Sequence, residues 1–193
     1  MNTIRNVLLI GASVVTAAAQ AQDGEDYDFK FFVGGAYVQP LNDTNVPGAN
    51  IETSNEFGIE LGGEWRMGNR LGFEVAYLDV EQDIEVNGSR VGDIDMKPWN
   101  FTLNFHMVDG DTFNWFIGPT ISYVDWGDIN TQFGSLATDS ETTWGVSTGI
   151  LFGLGDTFGL EVGLRYIDST VEAQGPDISV DPLFARVGIS FRF

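Results

Sequence analysis

The final eleven residues alternate without a break. Leu183, Ala185, Val187, Ile189, Phe191 and Phe193 occupy one parity, and Phe184, Arg186, Gly188, Ser190 and Arg192 the other. Side chains of a strand point to opposite faces with period two, so one face of this segment meets an apolar medium and the other does not. Roughly 9 to 11 tilted residues also cross the hydrocarbon of a bilayer. A water-soluble sandwich edge shows the same alternation, so the other segments must decide.

Alternation recurs near residues 29 to 38, 55 to 67, 70 to 81, 95 to 108, 112 to 126, 142 to 154, 157 to 170 and 181 to 193, which predicts eight strands. The connections alternate in length. Gly68-Asn69, Asp109-Gly110-Asp111 and Gly155-Asp156 are tight hairpin signals, whereas residues 39 to 54, 82 to 94, 127 to 141 and 171 to 180 read as longer polar links. Short turns at one end and long loops at the other are the layout of a transmembrane barrel whose termini lie on the periplasmic side.

Outward parity tests this independently. Tyr37, Tyr77, Trp99, Tyr123, Trp144 and Tyr166 fall about seven to ten residues up six different strands. Phe29, Trp65, Phe73, Phe105, Trp115, Phe152, Phe158 and Phe193 gather near the lower ends. Two rings of exposed aromatics suit two membrane-water interfaces and have no purpose in a soluble barrel. The reading is therefore all-β: an eight-stranded antiparallel up-and-down transmembrane β-barrel.

The N-terminus adds an address. Arg5, the apolar run from Val7 to Ala19 and the small-x-small sequence Ala19-Gln20-Ala21 have the layout of a cleavable signal peptide, too short for a helical span. The expected organisation is a signal over 1–21 and one barrel domain over 22–193. Loss of Arg5 with the signal takes the formal charge from −19 to −20. So acidic a chain argues against nucleic acid as a partner. There is no cysteine for a disulfide or thiolate site. Acidic residues crowd the predicted outer links, but their spacing fits no defined metal loop. Neither a metal nor a cofactor is expected.

Inward parity splits by height. Lys30, Glu60, Glu64, Arg66, Glu74, Glu161, Arg165, Arg186 and Arg192 collect toward the periplasmic half, with His106 among them. Charges away from water must be paired, so a lumen network of carboxylates with guanidinium and ammonium groups is expected there. Toward the extracellular half the same parity gives Val38, Leu78, Val80, Ile94, Met96, Val124, Trp126, Ile167 and Phe184. These would line an apolar upper lumen, either as ordinary core packing or as a funnel for a hydrophobic small molecule. His106 has no nucleophile paired with it in the sequence, so a hydrogen-bonding role is expected and the chain reads as non-enzymatic.

Several stretches resemble the OmpW (outer membrane protein W) family of small outer-membrane barrels. They are Asp95-Met96-Lys97-Pro98-Trp99 leading into Phe101-Thr102-Leu103, then Phe116-Ile117-Gly118-Pro119 with Tyr123, Trp144-Gly145, Leu164-Arg165-Tyr166-Ile167-Asp168, and Asp181-Pro182. The resemblance runs from about Lys30 to Phe193. It implies a narrow porin-like barrel in a Gram-negative outer membrane that passes small hydrophobic molecules. The implied partners are membrane lipid, lipopolysaccharide and, through the C-terminal strand, the barrel-assembly machinery. Some family members carry large apolar side chains in mid-lumen where this chain has Ala76 and Arg165. That departure puts an apolar gate at this height in doubt and favours sideways release of a solute. The alternative is a structural or surface-interaction barrel with a closed lumen.

Overall fold

The computed structural model describes residues 29–193 apart from 43, 47–48, 69, 111, 132–133 and 172–177; the expected signal segment, 1–21, lies outside the described residues. Eight long strands form the wall: β1 (Phe29–Pro40), β2 (Glu56–Arg66), β3 (Leu71–Val86), β4 (Ser89–Asp109), β5 (Phe113–Trp126), β6 (Glu141–Gly153), β7 (Phe158–Ile167) and β8 (Pro182–Arg192). Each pairs antiparallel with the next, and β8 pairs with β1, which closes the barrel. Closure gives every wall strand two neighbours and abolishes the sheet edge. At the lower end, where the short turns lie, the seam is tied by Phe193 N–H donating to the Phe29 carbonyl at 2.9 Å.

Alternation explains the wall. On β5 the residues from Phe113 to Trp126 switch between exposed and buried at every step. The outward aromatics stand in rows set by the register. Tyr77 lies opposite Trp99 and Trp99 opposite Tyr123, and lower down Phe29 lies opposite Trp65 and Trp65 opposite Phe73. The Tyr77 and Trp99 ring centroids are 4.9 Å apart. Between the two rows the outer face is apolar, with Ile121, Leu164 and Val187 exposed.

One connection departs from expectation. Residues 82 to 94 are no loop: β3 and β4 run on past the membrane and turn at Asn87-Gly88, whose φ angles are 53° and 75°. Two successive left-handed residues make the hairpin turn that Asn-Gly favours. Alternation also continues, with Val80, Gln82 and Ile84 inside and Glu81, Asp83 and Glu85 outside. The charged outer positions made this segment look like a polar link.

Short strands from neighbouring loops extend this projecting hairpin. Ala49–Thr53 pairs with β3, and Ile129–Thr131 pairs with β4. On the outer face of this sheet, carboxylates stand opposite carboxylates: Glu52 with Glu85, Glu81 with Asp95, Asp83 with Asp93. Arg90 reaches Asp83 at 2.9 Å, and Lys97 reaches Asp95 at 2.7 Å. β7 stops at Ile167, short of its expected end at residue 170, and Thr170–Val171 then pairs with Ile178–Ser179.

Candidate functional site

The lumen has two layers. In the lower one, buried ionisable side chains form one connected chain. His106 Nε2 lies 2.5 Å from Glu64 Oε1, and Lys30 Nζ bridges Glu64 and Glu161 at 2.7 Å each. Arg186 continues from Glu161 (2.8 Å) to Glu74 (2.8 Å). Arg165 then joins Glu74 (2.7 Å) to Glu60 (2.6 Å). Every member is buried, and Glu74 is fully so. The strands supply these partners at matched heights: Lys30 is registered with Glu64, and Glu64 with Glu74.

The structure thus brings together Lys30, Glu60, Glu64, Glu74, Glu161, Arg165 and Arg186. Arg66 and Arg192, expected in the same network, sit at the lower rim instead. Arg66 pairs with Asp109 at 2.9 Å, and Arg192 donates to the Gly155 carbonyl at 2.6 Å. Parity gave their face correctly, but they end their strands and meet the turns there. His106 is held on both ring nitrogens, since Nδ1 lies 2.7 Å from Asn114 Oδ1.

Two aromatic side chains missing from the expected set complete this layer. Phe32 stacks against the Arg186 guanidinium, 4.9 Å from ring centroid to carbon, and Phe116 lies 5.0 Å from Lys30 Nζ. Cation-π contact of this kind adds to the ion pairs where water is excluded. Both residues share the inward parity of Lys30 and His106, so the signal was present. Gly62 and Gly149 lie beside these rings, where a Cβ would collide with them. Small polar residues line the opposite wall: Thr102 and Thr120 are hydrogen-bonded at 2.8 Å, and Ser122 donates to Asn100 Oδ1 at 2.6 Å.

The upper layer is apolar. Val38, Leu78, Val80, Ile94, Met96, Val124, Trp126, Ile167 and Phe184 all belong to one cluster, together with Ala36, Ile84, Ile129, Val171 and Val180. Their exposure does not exceed 6%, so the side chains fill this compartment rather than line an open funnel. An eight-stranded barrel is just wide enough for that. Val171 and Val180 come from the segment after β7 and cover the top. Two carboxylates hold that cover: Glu141 accepts from Ser169 Oγ (2.8 Å) and Thr170 N–H (2.9 Å), and Asp181 accepts from Ser169 N–H (3.0 Å). Val171 and Val180 lie in the predicted link of residues 171 to 180 and carried no periodic signal.

Two bridges of the wall's ladder are missing beside this compartment, although the register is unbroken across them. Pairing of β3 with β4 runs up to Tyr77 opposite Trp99 and resumes at Val80 opposite Met96. The missing bridges lie between Leu78 and Asp79 on one side and Lys97 and Pro98 on the other. Proline has no N–H to donate to a ladder.

This architecture is shared with known proteins. The family profile described as "Outer membrane protein beta-barrel domain" matches residues 7–193. No curated protein sequence matches the chain. Among solved structures, OprG from Pseudomonas aeruginosa superposes with a TM-score of 0.77 at 17% identity, covering 86% of this chain and 95% of that one. The outer membrane protein AlkL gives 0.66 at 19% identity over 90% and 92%. The E. coli outer membrane protein W gives 0.55 at 13% identity over 88% and 99%. At such identities the likeness is one of fold, that of the small OmpW-like barrels. The chain belongs to the outer membrane protein beta-barrel domain family and resides in the outer membrane of a Gram-negative bacterium.

Proposed function

We propose that this barrel takes small hydrophobic molecules from the exterior into its apolar upper lumen, where they displace the side chains that fill it at rest, and releases them sideways into the outer membrane, with no chemical step. The observation that carries this is the stacking of a continuous apolar compartment on a sealed chain of ion pairs. Apolar surface supplies affinity for an apolar solute, about 25 cal/mol for each Å² it removes from water. Descent to the periplasm would require separating buried pairs such as Arg165 and Glu74, and breaking a buried pair costs about 3–5 kcal/mol. The two missing bridges between Leu78–Asp79 and Lys97–Pro98 offer the easier way out, because Leu78 belongs to the apolar cluster and fewer ladder bonds hold the wall there. The resemblance to the OmpW family points in the same direction. Lipopolysaccharide would meet the upper aromatic row, and the β8 strand ending at Phe193 would engage the assembly machinery.

A second reading has its own support. The upper compartment is filled, which suits a structural or surface-interaction barrel with a permanently closed lumen. Uptake separates the two. Whole cells carrying Leu78→Asp or Val124→Asp should take up n-octane several-fold more slowly than cells with the parent barrel, measured against the folded fraction on heat-modifiability gels. Equal uptake by folded variants would establish the closed-lumen reading.

A further inference from the structure

Among the described residues, two buried polar atoms in the upper compartment have no partner. They are Trp126 Nε1, a donor, and Gln82 Oε1, an acceptor. Gln82 is fully buried and Trp126 nearly so. The Gln82 amide is oriented by its other end, where Nε2 donates to the Ser54 carbonyl at 3.3 Å. Gln82 stands between Val80 and Ile84 on the inner face of β3, and Trp126 follows Val124 on the inner face of β5. Across β4 the register sets Gln82 opposite Ile94 and Trp126 opposite Met96. The two residues are thus two strand spacings apart and offset by two residues along the strands, roughly 12 Å between backbones, with both side chains on the inner face. Leaving such groups unpaired in an apolar surround is costly, and a fully apolar occupant would leave both unpaired.

We infer that Gln82 and Trp126 form a recognition point for a hydrophobic molecule bearing one neutral hydroxyl, such as a medium-chain primary alcohol or a phenol. This deepens the uptake reading and rests on it. A hydroxyl both accepts and donates, so one group can take the indole N–H and give its own hydrogen to the amide oxygen. A carboxylate could accept from Trp126 but has no hydrogen for Gln82. The carboxylates of Glu141 and Asp181, which hold the cover above, also oppose an anionic head. A hydrocarbon of equal length satisfies neither atom.

The test uses the full barrel in lipid nanodiscs, titrated with 1-octanol and with n-octane. Apparent affinities are corrected for partition into protein-free discs. The parent protein should prefer 1-octanol on the order of tenfold, as two modest hydrogen bonds allow. The Trp126 indole N–H resonance should move with 1-octanol and stay in place with n-octane. In Gln82→Leu and in Trp126→Phe the ratio of the two affinities should fall toward one. Absence of any preference in the parent, or a preference that survives both substitutions, overturns the inference while octane binding leaves the uptake reading standing. Binding of neither solute overturns both. The resonance arm needs no variant, so it decides even if a substituted barrel fails to fold.

Discussion

Replacing Glu74 with Ala should destabilise the barrel by about 3–5 kcal/mol, the cost of removing one partner from buried ion pairs. Glu74 Oε1 accepts from Arg165 (2.7 Å) and Arg186 (2.8 Å), and Oε2 accepts from Arg186 (3.1 Å) and Asn104 (3.3 Å). Two guanidinium groups therefore share one fully buried carboxylate, while Arg165 keeps Glu60 and Arg186 keeps Glu161 as further partners. Urea unfolding in detergent micelles, followed by tryptophan fluorescence, would measure the loss. A combined replacement of Glu60 and Glu74 by Leu and of Arg165 and Arg186 by Met should recover most of it, because no charge of that group is then stranded. A Glu74→Ala barrel within about 1 kcal/mol of the parent would mean that the arginines find other acceptors, and the sealed lower layer would not stand.

A second large effect is expected on the lipid face. Val187→Arg places a cation midway between the aromatic rows, on a side chain 54% exposed to the surround, and should cost about 2–4 kcal/mol of folding stability in lipid. Leu154→Arg, in the short turn between β6 and β7, should cost about 0–1 kcal/mol, because its cation sits near headgroups and water. Folding into vesicles across a urea series would report both values. Equal costs would show that the apolar band around β8 does not face hydrocarbon.

The sequence made the wall legible because a membrane barrel imposes parity at every position. Lys30, Glu64 and Glu74 could be placed on one face from alternation alone, and the height split followed from counting along each strand. Partner choice was less legible. Arg66, Arg186 and Arg192 share a face, but only the register shows that Arg186 reaches Glu74 and Glu161 while the other two end at the rim. Loop burial was not legible at all: Ile129, Val171 and Val180 become apolar cover only after distant strands have closed around them. Whether the upper lumen is lined or filled depends on side-chain volume against barrel width, which alternation does not encode. The Asn87-Gly88 turn went unread, because the acidic outer positions around it made residues 82 to 94 look like a polar link.

Those outer positions have a further consequence. Like charges directly opposite each other in a sheet repel, and the pairs Glu52 with Glu85, Glu81 with Asp95, and Asp83 with Asp93 load three such contacts onto one exposed face, with Arg90 and Lys97 as the nearby cations. At 0.1 M salt the screening length is about 10 Å, and it lengthens to about 30 Å at 0.01 M. The repulsion across these pairs therefore weakens as salt rises, while the ion pairs sealed inside the barrel are screened far less.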